Sequence, residues 1–156
     1  MIPVTPSRRG AAALVAALLA LACATPVDEK AVERKLRVAG SSVPGLQRGF
    51  LVVPIHATSK MEAWTLTAEA RGEDSTVLGR RLSYDLRREA RRRRGVVVGG
   101  VYPDLTRAIV LDALDELADQ ALDGLTLVYV GDPVYAEELR LAARAHRAGF
   151  QHRNLP

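Results

Sequence analysis

Residues 95–104 read GVVVGGVYPD and residues 125–133 read LTLVYVGDP. Each is a short apolar run rich in valine, closed by glycine and followed within four residues by a proline and an aspartate. A run of this length bounded by turn residues is what a strand buried on both faces looks like. Proline is harmless in the first turn of a following helix, where its missing N–H would have had no partner, and Asp132 just before Pro133 has N-cap chemistry. Strand, turn and helix start, met twice in succession, read as parallel βαβ units.

The pattern extends outward from these two runs. Between them, Val110, Leu114, Leu117 and Ala121 recur at helical spacing, widened by Leu111, Ala118 and Leu122. Asp112, Asp115, Glu116 and Asp119 supply a polar face, so a helix is expected over 104–122, ended by Gly124. A second helix is expected from Asp132 to about Ala148, with a last short strand over 150–153. Upstream, Phe50 to Ile55 reads as a strand, and Pro54 argues for an edge or an end. Leu78, Leu82, Leu86 and Ala90 predict a helix over 76–93 despite Gly79. In residues 62–70, Trp64, Leu66, Ala68 and Ala70 alternate with Thr65, Thr67 and Glu69, the pattern of a half-buried strand, with a helix as the alternative. A further helix is expected at about 27–38. The fold class is therefore α/β: a small, mostly parallel sheet of about four to five strands with flanking helices. Right-handed crossovers place the helices on one face unless the strand order reverses.

The chain has 156 residues, enough for one domain, and 48% hydrophobic residues, a globular composition. All but three of its 22 basic residues are arginine. That bias reads as composition rather than as a site, since arginine and lysine part ways only at bidentate or stacked positions. One cysteine excludes an internal disulfide and any cysteine-rich metal site.

That cysteine, Cys23, stands after Arg8, Arg9 and an unbroken Ala/Leu/Val run from Ala11 to Ala22. Positive head, apolar run and small residues follow the order of a secretory signal peptide. Twelve residues are too few for the roughly 20 of a membrane-spanning helix. Ala20-Leu21-Ala22-Cys23 resembles the lipobox of bacterial lipoproteins, with alanine at the first position where that family commonly has leucine. The resemblance implies cleavage before Cys23, lipid (palmitate) on its thiol and a further acyl chain on the new amino group. Residues 1–22 are then a signal peptide, and residues 23–156 a single domain anchored to the membrane with half the net charge. In that family an aspartate after the cysteine retains the protein in the inner membrane. Ala24 instead points to an outer-membrane lipoprotein facing the periplasm.

Two features of the remaining chain are candidate binding sites, each with a plainer account beside it. Gly99, Gly100 and Asp104 follow one strand, and Gly131 and Asp132 the next. In open parallel sheets ligands bind beyond the carboxyl ends of the strands, yet neither turn is GxGxxG or GxxxxGK[ST], and a tight strand-to-helix turn needs glycine anyway. Arg87, Arg88, Arg91, Arg92, Arg93 and Arg94 form a candidate face for an anionic partner, either lipid headgroups or an acidic envelope polymer. Arginines in a last helical turn also complement the helix dipole. No aromatic residue interleaves with them, which argues against nucleic acid. His56, His146 and His152 lack metal-ligand spacing, no cofactor motif occurs, and no catalytic constellation is recognisable. Residues 123–149 resemble the strand–helix unit that opens the second domain of carbamoyltransferases. That family's Ser-x-Arg-Thr and His-Cys-x-Pro motifs are missing, so the resemblance implies the βαβ pattern and no transferase activity. The expected function is a non-enzymatic, lipid-anchored envelope protein that binds a partner protein, polymer or small ligand. The alternative is a nucleotide-type or other small-ligand domain, with an enzymatic role open, using the two glycine turns.

Overall fold

The computed structural model of the chain describes residues 28–46 and 49–154; the expected signal peptide, the lipobox-like residues 20–23 and Cys23 lie outside the described residues. β2 (Gly95–Gly100) is buried at all six positions. It lies between β1 (Phe50–Ile55) and β3 (Thr126–Val130), and β3 is flanked by β4 (Gly149–Arg153). All three pairings are parallel and the order is β1-β2-β3-β4. The α/β expectation holds, with a four-stranded and wholly parallel sheet.

Successive side chains on a strand point to opposite faces, and here that alternation sorts the core into two layers. Val96, Val98, Leu127 and Tyr129 pack beneath α2 (Lys60–Glu69), α3 (Val77–Arg91), α4 (Pro103–Asp115) and α5 (Ala136–Ala145), meeting Leu82, Leu86, Leu105, Ile109 and Leu139. Val97, Val128 and Val130 pack on the other face, against Val32, Leu36 and Ala39 of α1 (Glu29–Ser41). The strand order never reverses, so right-handed crossovers put every helix after β1 on one face. Among the described residues, only α1, which precedes the sheet, covers the other.

The direction of α1 follows from its contacts. Leu36 fills the space over Gly99, where a Cβ would come within 2.6 Å of Leu36 Cδ2, and one turn later Gly40 stands over Phe50 and Val97, toward the amino end. The helix therefore runs from the carboxyl end of the sheet toward the amino end, and its N-cap, Asp28, stands at the carboxyl end.

Three sequence expectations need correction. Residues 62–69 are helical, within α2, with Ala70 as its C-cap, and form no strand. Ser59 caps the helix, accepting from Glu62 N–H at 3.2 Å, while Glu62 reaches back to Thr58 N–H at 2.6 Å, a capping-box arrangement. The buried positions are Ala63 and Thr67, four apart, and Trp64 faces solvent. Second, α4 ends at Asp115 rather than Leu122. Ala118 adopts a left-handed φ of 47°, yet Leu117, Leu122 and Leu125 still plug the core from the loop. Third, Asp132 caps a 3₁₀ turn, Pro133–Tyr135, which leads into α5.

α3 and α4 are joined through one buried carboxylate. Asp112, expected on the polar face of its helix, is 6% exposed. It accepts from the backbone N–H of Thr76 at 3.0 Å and from its hydroxyl at 2.5 Å. Thr76 Oγ1 in turn accepts from Gly79 N–H at 2.9 Å as the N-cap of α3. The negative charge thus sits at the positive end of the α3 dipole. Gly79 is there because a Cβ would lie 2.1 Å from Asp112 Oδ2. Asp112→Ala is expected to cost about 2–3 kcal/mol by losing two hydrogen bonds and orphaning a capped terminus. Gly79→Ala alone is expected to cost about 1–3 kcal/mol by overpacking. The double variant should cost less than the sum, because the new methyl occupies space the carboxylate vacates; urea unfolding of the four proteins measures this.

Candidate functional site

The loops that leave β1, β2 and β3 meet at the carboxyl end of the sheet. Gly99 and Gly100 are the last residues of β2 rather than part of a turn beyond it. A Cβ on Gly100 would lie 2.3 Å from the carbonyl oxygen of Ile55, and one on Gly99 2.6 Å from that of Val130. Their role is close packing between strands and against α1, and their backbone is not laid open to a ligand. Gly131 stands directly over the Tyr129 hydroxyl, where a Cβ would come within 2.5 Å. Asp132 accepts from Val134 N–H at 2.9 Å as a cap.

The two turns are nevertheless neighbours. The Tyr135 hydroxyl, one turn past Asp132, donates to Asp104 at the start of α4. One turn further along, Arg107 makes a two-pronged contact with Glu138, with its Nη2 2.6 Å from Oε1, and its guanidinium lies over the Tyr135 ring. This bond holds the Glu138 carboxyl below its ordinary range. The turns thus converge through side chains that satisfy one another, and they carry two carboxylates, a poor setting for a phosphate.

Beside them a groove of about 780 Å³ opens between α2 and the start of α4, within the size range of small-molecule sites. Its walls are Trp64, Thr67 and Ala68 of α2 and Tyr102, Pro103 and Asp104 at the head of α4, with Lys60 and Arg71 at its rim. Trp64 is 71% exposed and neighbouring Met61 73%. Of the residues expected from sequence to bind a ligand, Asp104 alone lines this groove. The α2 wall was out of reach because the alternation in residues 62–70 mimics a strand. The Ser59-x-x-Glu62 spacing is the signal that identifies the helix.

The arginine cluster is built around a buried acid. Glu89 is 2% exposed. Arg88 Nε lies 2.9 Å from it, and Arg92 and Arg94 each lie 3.6 Å away. Arg88 also reaches Asp85 at 3.0 Å. Three of the six arginines therefore neutralise an internal charge. Arg87 and Arg91 line a shallow hollow with Gln120 and Asp123, and the stem of Arg93 packs against Gly124. Two of the histidines serve local structure: a ring nitrogen of His146 sits 3.0 Å from the Gln120 carbonyl, and one of His152 2.9 Å from that of Gly131, while Nδ1 of His56 is buried without a hydrogen-bond partner among the described residues. Among the described residues no group of three or more metal-ligating side chains is arranged to hold an ion, and no helix is long and apolar enough to cross a membrane.

Tyr129 is fully buried, and its hydroxyl lacks a hydrogen-bond partner among the described residues. Burial first, and then the charge of Asp132, push its pKa up to about 12. The sign follows: an unfolded tyrosine ionises near 10, so between 10 and about 12 the unfolded chain loses a proton that the folded chain keeps, and stability falls. Below 10 this contribution is fully present. Spectrophotometric titration should therefore show one phenol ionising late, together with unfolding, and Tyr129→Phe should remove that component while leaving stability at pH 7 unchanged or higher. No protein-family model, curated protein or solved structure matches the chain.

Proposed function

We propose that this chain is a lipid-anchored cell-envelope protein, tethered through Cys23, whose α/β domain binds a small acidic, ring-bearing ligand. A fragment of acidic envelope glycan is the class that fits best. The observation that carries the reading is the outward placement of Trp64. Helix α2 buries Ala63 and Thr67 and turns its indole and Met61 to solvent. Burying a side chain of that size contributes about 2–3 kcal/mol, so a helix that forgoes it holds the indole ready for contact. The Trp64 and Tyr102 rings suit the flat apolar face of a sugar. Asp104 accepts from hydroxyls, and Lys60 and Arg71 meet a carboxylate at the rim. Binding of this kind requires no catalytic group.

The anchor would lie within reach of the end of the molecule that carries the groove. Four residues lie between Cys23 and Asp28, a reach of at most about 18 Å, and Asp28 caps α1 at the carboxyl end of the sheet. A lipid on Cys23 would hold this end toward the bilayer, and Ala24 supports an outer-membrane destination.

Trp64 is the only tryptophan of the chain, so its fluorescence reports on the groove directly. Titration with acidic glycan fragments of the cell wall should give a saturable blue shift. Lys60→Ala should weaken it about tenfold, the equivalent of one charge-assisted hydrogen bond, without lowering the melting temperature. A saturable shift with nucleotides and none with glycans would move the ligand class; no shift with either sinks the binding reading. Separately, cells fed a palmitate analogue should label the wild-type chain and not Cys23→Ala. Equal labelling would overturn the anchor.

A further inference from the structure

The two edges of the sheet are finished differently. Gly95 N–H donates to the Gly49 carbonyl at 3.3 Å. In a parallel ladder alternate residues of an edge strand bond inward, so residues 51, 53 and 55 face β2 while Phe50, Val52 and Pro54 present their backbone groups to the open side. Pro54, which has no N–H to offer, stands at an outward position. At the other edge, Gly149 N–H donates to Leu125 and Gly131 N–H to Arg153, which leaves Phe150 and His152 facing outward. There the Arg153 side chain folds back: Nη1 donates to the His152 carbonyl at 2.8 Å and Nη2 to Gln151 Oε1 at 3.2 Å. A charged side chain laid along an edge strand blocks pairing. β1 has no such cover among the described residues. A groove of about 720 Å³ runs along it instead, between α1 and α3.

We propose that this groove seats the β1 edge of a second copy of the same chain, so that two sheets join across a two-fold axis at Val52. Antiparallel pairing centred there lets Val52 exchange both hydrogen bonds with Val52 of the partner subunit. Phe50 N–H meets the Pro54 carbonyl of the partner subunit, and the reverse. The proline thus falls where it costs one bond per copy rather than at the centre. The walls argue for a copy of the chain over a partner of one charge. Each wall carries both signs, Glu29, Lys30 and Glu33 on α1 and Arg81, Asp85 and Arg88 on α3, so each can meet its own copy. A two-fold interface sets one patch against itself, and a patch of one sign would repel its own copy. Tyr84, beside the groove on α3, is 60% exposed and is of the residue type enriched at interfaces. The inference is independent of the ligand groove at the other side of the sheet end.

Sedimentation of the full chain in mild detergent, over a range of protein concentration, should show a species of twice the monomer mass. Val52→Pro removes an outward N–H and leaves the β1–β2 ladder intact; it should raise the dissociation constant at least about tenfold. Arg81→Glu, a surface change, should weaken the pair in the same direction by breaking the charge balance. In a Cys23→Ala background, Val52→Cys should form a disulfide-linked pair on mild oxidation, because Cα atoms in such a bonded pair lie about 5.5 Å apart. Gln151→Cys on β4 should not. A wild-type chain that stays monomeric overturns the proposal. So does a dimer unaffected by both Val52→Pro and Arg81→Glu, or one cross-linked through residue 151 and not 52.

Discussion

The burial of β2 on both faces is the constraint from which the architecture follows. Val96, Val97 and Val98 are each fully shielded from water, which requires a strand on either side and a helical layer above and below. β1 and β3 meet the first requirement. The crossover helices α3 and α4 meet the second on one face, and α1, entering from the N-terminal side, meets it on the other. The glycines that bracket the valines let α1 come down onto the sheet and let the strands end close together. The same close approach leaves no room for a phosphate cradle at Gly99 and Gly100. The open space lies one element over, where α2 stands off from the head of α4.

How much of this could be read from the sequence depended on how uniformly each segment is buried. β2 and β3 are apolar throughout, and α3 has leucines at intervals of four, so pattern and environment agree. α2 defeats the pattern because its inward positions are small or polar, Ala63 and Thr67, and its outward ones are Met61 and Trp64. A reading that sends large apolar residues inward must misplace it, and with it one wall of the groove. The end of α4 was missed for the opposite reason. Leu117 and Leu122 are buried as fully as any helical leucine, but the backbone between them is a loop, and burial alone does not distinguish the two.

The charges divide in a similar way between fold and surface. Asp112, expected on the polar face of its helix, and Glu89 are acids that the structure takes inside, each matched locally: one by a hydroxyl, a backbone amide and a helix terminus, the other by three guanidinium groups. A run of arginines that looks like a binding face is in part the counter-charge of one hidden carboxylate. The charged side chains that line the groove beside Trp64 lie elsewhere, at Lys60, Arg71 and Asp104.

Arg153 has a consequence beyond its own strand. A parallel sheet with two bare edges can be extended without limit, each added copy exposing a fresh edge for the next, which is the geometry of a fibre. A guanidinium folded over one edge makes the molecule a chain terminator for its own polymerisation: whatever adds at β1, growth stops there. At high local concentration, that single side chain separates a discrete particle from an aggregate.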